Sequence, residues 1–238
     1  MIKLEMKYSL LLCLSFFFNF SLCSQSKEPL SVEKKLLEKK EKNCSYKIQY
    51  PILKLGKDSK YDVNIIKSIG KVLVDDFTKL DSYENEFECN KKDKNAPAFN
   101  LVGDFSVKLK NEFILSIHSD FSSYTEGNAH PNNVFKVYNF DLVTGKQISF
   151  ESLFKKDSKF LVPLHKNMAE VMLKDKSITE KEEFIALKKN KYDFYLTPDG
   201  LTLINLFDIH AMQSVEAKVP FEKIKKYLDT ENTLKFIK

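Results

Sequence analysis

The chain has 238 residues, 43% hydrophobic and 30% charged, with 20 Phe and 10 Tyr. That composition supplies a buried core and argues against a globally disordered chain. The net charge is +5, every basic residue is lysine, and acids are interspersed among them. Without arginine the bidentate grip on guanine is missing, and no basic stripe with interleaved aromatics occurs, so nucleic-acid binding is not expected.

The chain opens on an export signal. Residues 6–23 read MKYSLLLCLSFFFNFSLC, a lysine followed by an apolar run too short for a comfortable bilayer span. Residues 1–22 are therefore expected to be a signal peptide. Phe20-Ser21-Leu22-Cys23 resembles a relaxed lipobox, which would make Cys23 a lipidated first residue. Leu22 is larger than the usual residue there, and ordinary cleavage with Cys23 unmodified is the alternative. Residues 23–45 are rich in Lys and Glu and read as a polar tether, within which VEKKLLEKK could form a short helix. The folded part is then expected over residues 46–238, in halves 46–110 and 111–238. Outside the cytosol, Cys44 and Cys89 form the natural disulfide pair. Two cysteines without nearby histidines do not fill a zinc shell, and no cofactor is expected.

SYKIQYPILKL alternates as a strand, with Pro51 marking an edge or a bend. DVNIIKSIGKVLVDDFTKL places Val63, Ile66, Ile69, Leu73 and Phe77 near helical spacing, with Asp62 as cap. A polar loop around Cys89 follows. AFNLVGDFSVKLKN predicts a strand with Phe105, Val107 and Leu109 on one face, and EFILSIHSDFSSY a second strand after a corner at Asn111-Glu112. VFKVYNFDL predicts a third, with Val134, Lys136, Tyr138 and Phe140 on one face and Phe135, Val137 and Asn139 on the other. Thr144-Gly145 is a turn before QISFESLF. KFLVPLHKNMAEVMLKDK spaces Leu161, Leu164, Met168, Val171 and Met172 as one helical stripe, with Pro163 in the first turn. ITEKEEFIALKKN is a further short helix. YDFYLTPDGLTLINLFDI is a hairpin turned at Pro198-Asp199-Gly200, and SVEAKVPFEKIKKYL a strand and then a helix. Hairpins with separate helices predict an α+β fold with a mainly antiparallel sheet.

Several short motifs occur in a recognisable order. YPIL, the helix near VNIIKSI and the paired strands resemble the bacterial exported domain of unknown function 4163. Tyr124-Thr125 before Gly127-Asn128-Ala129-His130, then Asn139-Phe140-Asp141-Leu142, Thr144-Gly145-Lys146, Ser152-Leu153-Phe154 and Val219-Pro220-Phe221, resemble the companion domain of unknown function 3298. Asn128 stands where the family has a second glycine, a change that asparagine tolerates because it reaches left-handed angles. Residues 208–212 replace the family's tyrosine- and glycine-rich loop. The resemblance implies a binding module. One member is the outer segment of a lysozyme-sensing anti-sigma factor, and another stands beside a polysaccharide deacetylase domain. A cell-wall component or a lysozyme-like protein is the implied partner. The expected binding residues are Tyr124, Thr125, Gly127, Asn128, His130, Asn132, Asp208 and His210.

His118, Asp120 and His130 could instead hold zinc or serve acid–base chemistry in an envelope hydrolase, since His118 and Asp120 share a strand face. A histidine closing a glycine turn more simply fixes the loop through local backbone bonds. No nucleophile elbow and no phosphate-cradling loop occur.

Overall fold

The computed structural model describes residues 29–79, 97–174, 176, 189–207 and 212–237. The signal peptide, Cys23, the loop holding Cys89, most of the ITEKEEFIALKKN helix, Asp208 and His210 lie outside the described residues. Five strands form one sheet in the order β1-β2-β3-β4-β5: β1 (Leu30–Glu41), β2 (Cys44–Leu55), β3 (Phe99–Lys110), β4 (Ile114–Thr125) and β5 (Asn132–Asp141). Helix α1 (Val63–Thr78) joins β2 to β3, the one parallel pair, while every other pair is antiparallel. A second sheet runs β6-β7-β8 over Asp193–Leu196, Gly200–Ile204 and Ala217–Pro220. It packs with α2 (Leu161–Lys174) and the short α3 (Phe221–Ile224). The α+β fold and the mainly antiparallel pairing are as the sequence predicts. No helix among the described residues is long and apolar enough to cross a membrane.

The expected tether is corrected from Leu30 onward. LSVEKKLLEKKE is strand β1, paired antiparallel with β2 from Leu30↔Leu55 to Glu41↔Cys44. Leu30 is buried, and Val32 and Leu37 pack against the core, while most of the lysines and glutamates are exposed. A charged outer strand is how a sheet edge resists pairing with other chains, so its composition resembles that of a solvated linker. The folded part thus includes residues 30–45 as well as those from 46 on. Pro51 lies three residues beyond Ile48, the last β2 residue paired with β3, where a missing N–H costs least.

Helix α1 starts where Asp62 accepts hydrogen bonds from the backbone N–H groups of Asn64 (2.7 Å) and Ile65 (3.1 Å). Ile66, Ile69, Leu73 and Phe77 are buried against the five-stranded sheet, whereas Val63, expected in the stripe, is exposed in the first turn. Each buried side chain stabilises the helix by roughly 2 kcal/mol through area removed from water. Phe77 meets Phe105, Phe121 and Tyr138 at ring separations of 5.9, 5.4 and 5.5 Å. In β3 the alternation holds from Phe99 to Phe105 and then breaks: a bulge between Val107 and Leu109 leaves Val107 exposed and Leu109 buried. Helix α2 buries Leu164, Met168 and Met172, with Leu161 and Val171 only half-buried.

The opposite face of the five-stranded sheet divides in two. Near its Leu109/Ile114 end it joins the second core, with Phe150, Leu196 and Val219. A buried polar clasp fastens the sheets there. Ser116 Oγ donates to Asn139 Oδ1 (2.6 Å), Asn139 Nδ2 donates to the Phe194 carbonyl (2.7 Å), and the Leu196 N–H donates to Ser116 Oγ (2.9 Å). Toward the far end, where Val102 and Tyr124 stand exposed, the face is open.

Candidate functional site

The β4–β5 corner lies at that open end. Gly127 adopts φ +96°, the left-handed region that only glycine enters freely, and has open space where a side chain would be. Asn128 N–H donates to the Thr125 carbonyl at 3.0 Å and closes the turn. Asn128 itself does not take a left-handed angle, so the expected reason for asparagine there is corrected: Gly127 alone carries the turn. Tyr124 OH donates to the Asn128 carbonyl at 3.3 Å, and Ser123 Oγ to the Asn132 carbonyl at 3.4 Å. His130 is exposed, with Nδ1 3.2 Å from the Pro131 carbonyl, which is the local backbone role expected for it. Beside the corner is a recess of about 420 Å³ lined by Tyr124, Glu126, Asn100, Asn43, Lys40 and Lys42. Asn100 Oδ1 accepts from Ser45 Oγ at 2.9 Å.

His118 and Asp120 lie further down β4, facing Ser106 and Asp104 across β3. Asp120 is exposed; the His118 side chain is only 12% exposed. The His118 ring stacks on Phe135 at 5.8 Å and meets Tyr195 edge-on at 5.5 Å. Its Nε2 is buried without a hydrogen-bond partner among the described residues and lies 3.9 Å from Glu216 Oε1. Glu216 Oε2 accepts the Tyr195 hydroxyl at 2.7 Å, and Lys108 Nζ sits 4.7 Å over the Tyr195 ring. Burial holds the His118 imidazole below its ordinary value and Lys108 adds to this, while Glu216 and Asp120 pull the other way. Burial, then the Glu216 hydrogen bond and charge, push the Tyr195 phenol well above its ordinary range.

These two places are not one site. His118 is five residues before Ser123, whose partner Asn132 follows the corner, so about 17 Å of strand separates His118 from the corner holding His130. The His118–Asp120–His130 set therefore does not converge, and no group of three metal-ligating side chains occurs among the described residues. A neutral imidazole with one buried nitrogen can hold a proton, but the carboxylate beside it is already bonded to a phenol. No local pattern points to Glu216, Tyr195 and Lys108, because each comes from a different stretch of the chain. Phe135 lies on the face of β5 that it was predicted to share with Val137 and Asn139, opposite Tyr138 and Phe140. The recess residues Lys40, Lys42 and Asn43 are hidden when the stretch holding β1 is read as a linker, and Asn100 joins them only through the parallel pairing of β2 with β3.

Comparisons with known proteins follow this division. A family described as "Deacetylase PdaC" matches residues 37–133, which run from within β1 through β4 and the corner. A DUF3298-family structure from Bacteroides fragilis NCTC 9343 superposes with a TM-score of 0.61 at 18% identity, covering 87% of this chain and 96% of that one. A DUF3298-family structure from Pseudomonas aeruginosa PAO1 does so with a TM-score of 0.61 at 15% identity, covering 85% and 96%. No curated protein matches the chain in sequence. The chain thus has the fold of the DUF3298 proteins.

Proposed function

We propose that the protein is an exported, lipid-anchored binding module of the cell envelope that takes a peptidoglycan or other wall component at the β4–β5 corner. In this reading Cys23 carries the lipid, Cys44 pairs with Cys89, and the domain stands in the periplasm or on the cell surface. The supporting observation is the corner with its 420 Å³ recess: an exposed tyrosine beside amides and charges of both signs. Such a surface suits a sugar polymer, whose C–H faces lie on an aromatic ring and whose hydroxyls bond amides and carboxylates. A lysozyme-like protein is the other partner, implied by the resemblance to the anti-sigma factor module. The chain's net charge of +5 offers a basic protein no long-range attraction, which ranks the wall polymer first.

The test is co-sedimentation of the purified protein with isolated wall polymer and, separately, with lysozyme. Retention by the polymer supports the reading, and retention by neither contradicts it. A second reading, an envelope hydrolase, draws on the deacetylase family match, which spans His118, Asp120 and His130; as these stand in two separate places, it needs His130 to act at the corner without the other two. It predicts acetate or soluble fragments released from wall polymer by the wild type and lost in His130→Ala. The binding reading predicts no release by either.

A further inference from the structure

The start of β1 at Leu30 changes the geometry of attachment. Only residues 24–28 separate Cys23 from Pro29, so a lipid on Cys23 holds Pro29 within about 20 Å of the bilayer, even with the chain fully extended. One end of the molecule gathers around Pro29. The Pro29 carbonyl accepts from Gly56 N–H (3.2 Å), the Leu30 carbonyl accepts from Lys110 Nζ (2.9 Å), and Tyr61 OH donates to the Asn111 carbonyl (3.1 Å). The Val143–Lys146 turn belongs to the same end: Leu142 N–H donates to the Phe113 carbonyl (2.7 Å), and a Cβ on Gly145 would lie 3.1 Å from Ile65.

That end has the surface of a membrane-facing patch. Val143 and Val63 are 58% and 48% exposed, with half-buried Ile65 and Tyr61 alongside. Lys57, Lys67 and Lys146 are exposed at the same end. Most carboxylates there are engaged: Asp62 caps α1, Asp141 accepts from Val143 N–H and Thr144 N–H, and Glu112 pairs with Lys60. Asp58 alone lacks such a role among the described residues. Exposed valines with Lys57, Lys67 and Lys146 beside them fit an anionic lipid surface, with Asp58, Asp62 and Asp141 the remaining carboxylate charges at the same end.

We infer that the Val63/Val143 end, with Lys57, Lys67 and Lys146, docks on anionic lipid headgroups, so that the domain stands upright on the membrane. Strand β4 runs from this end to the corner over 12 residues, which lifts Gly127 and His130 about 40 Å outward, toward the wall. This orientation rests on the lipid-anchor reading and goes beyond it by fixing which end faces the bilayer.

The chain has no tryptophan, so V143W and N128W each give a lone reporter. The lipidated full-length protein is reconstituted in phosphatidylglycerol–phosphatidylcholine vesicles containing brominated lipid, with intact mass verifying the lipid on Cys23. The V143W variant should lose emission to bromine while N128W keeps it, and the V143W loss should shrink when K57E, K67E and K146E are added. Equal loss at both positions, greater loss in N128W, or a loss unaffected by charge reversal overturns the inference while leaving the anchor intact. A mass without lipid refutes the anchor reading, and this orientation with it.

Discussion

Ser116→Ala tests whether the buried clasp holds the two sheets together. The hydroxyl serves Asn139 Oδ1 at 2.6 Å and Leu196 N–H at 2.9 Å, and both Ser116 and Asn139 are at most 3% exposed. Truncation strands a buried acceptor and a buried backbone donor at about 1–3 kcal/mol each, so the expected loss is about 2–6 kcal/mol. Urea unfolding at neutral pH reads this as a fall in midpoint at unchanged slope. Ser106→Ala, on an exposed stretch of β3, is the matched control and should stay within about 0.5 kcal/mol. Hydrogen exchange adds location: amides of β6 and β7 should lose protection before those of β2 and β3, because Asn139 also holds the Phe194 carbonyl at 2.7 Å. A loss below about 0.5 kcal/mol, or equal loosening of both sheets, would refute the clasp as the fastening element.

Three further outcomes can be measured. The folded state depresses the His118 pKa below 6.5, chiefly by burial, so its neutral form is favoured; that stability is present above pH 6.5 and lost as pH falls through 6.5 toward the folded value. Unfolding free energies of wild type and His118→Phe measured from about pH 7.5 to 5 should therefore diverge in slope, the wild type falling more steeply. Gly103→Ala places a Cβ 2.7 Å from two ring atoms of Phe121 and 3.3 Å from Ile48, and thermal or urea unfolding should show a loss of about 1–3 kcal/mol. On the proposed Cys44–Cys89 pairing, replacing both with serine should cost about 4 kcal/mol by loop-closure entropy and the wild-type mass should rise on reduction and alkylation; an unchanged mass refutes the pairing.

Helix α1 was legible because its information is local: a capping aspartate, a 3.6-residue stripe and a long interval. The β6–β7 hairpin was legible for a similar reason, since Pro198-Asp199-Gly200 sets the turn, with Thr197 N–H donating to the Gly200 carbonyl at 2.9 Å. Strand β1 was not. A charged edge strand and a solvated linker share one composition, and what separates them is the register with β2, which no local pattern encodes. The β3 bulge is likewise set by β4, so period-two reasoning placed Val107 on the wrong side. At the site, Gly127 could be placed as a turn residue from its neighbours. The environment of His118 could not, because Phe135, Tyr195, Glu216 and Lys108 reach it from four separate stretches.

Binding of isolated wall polymer by the wild type, Tyr124→Ala and His118→Phe is the most direct measurement of where this molecule meets its ligand. The account predicts retention of the wild type and His118→Phe and a loss of at least about tenfold in Tyr124→Ala, on the scale of a central aromatic contact. Undiminished binding by Tyr124→Ala, or binding lost only in His118→Phe, would contradict it.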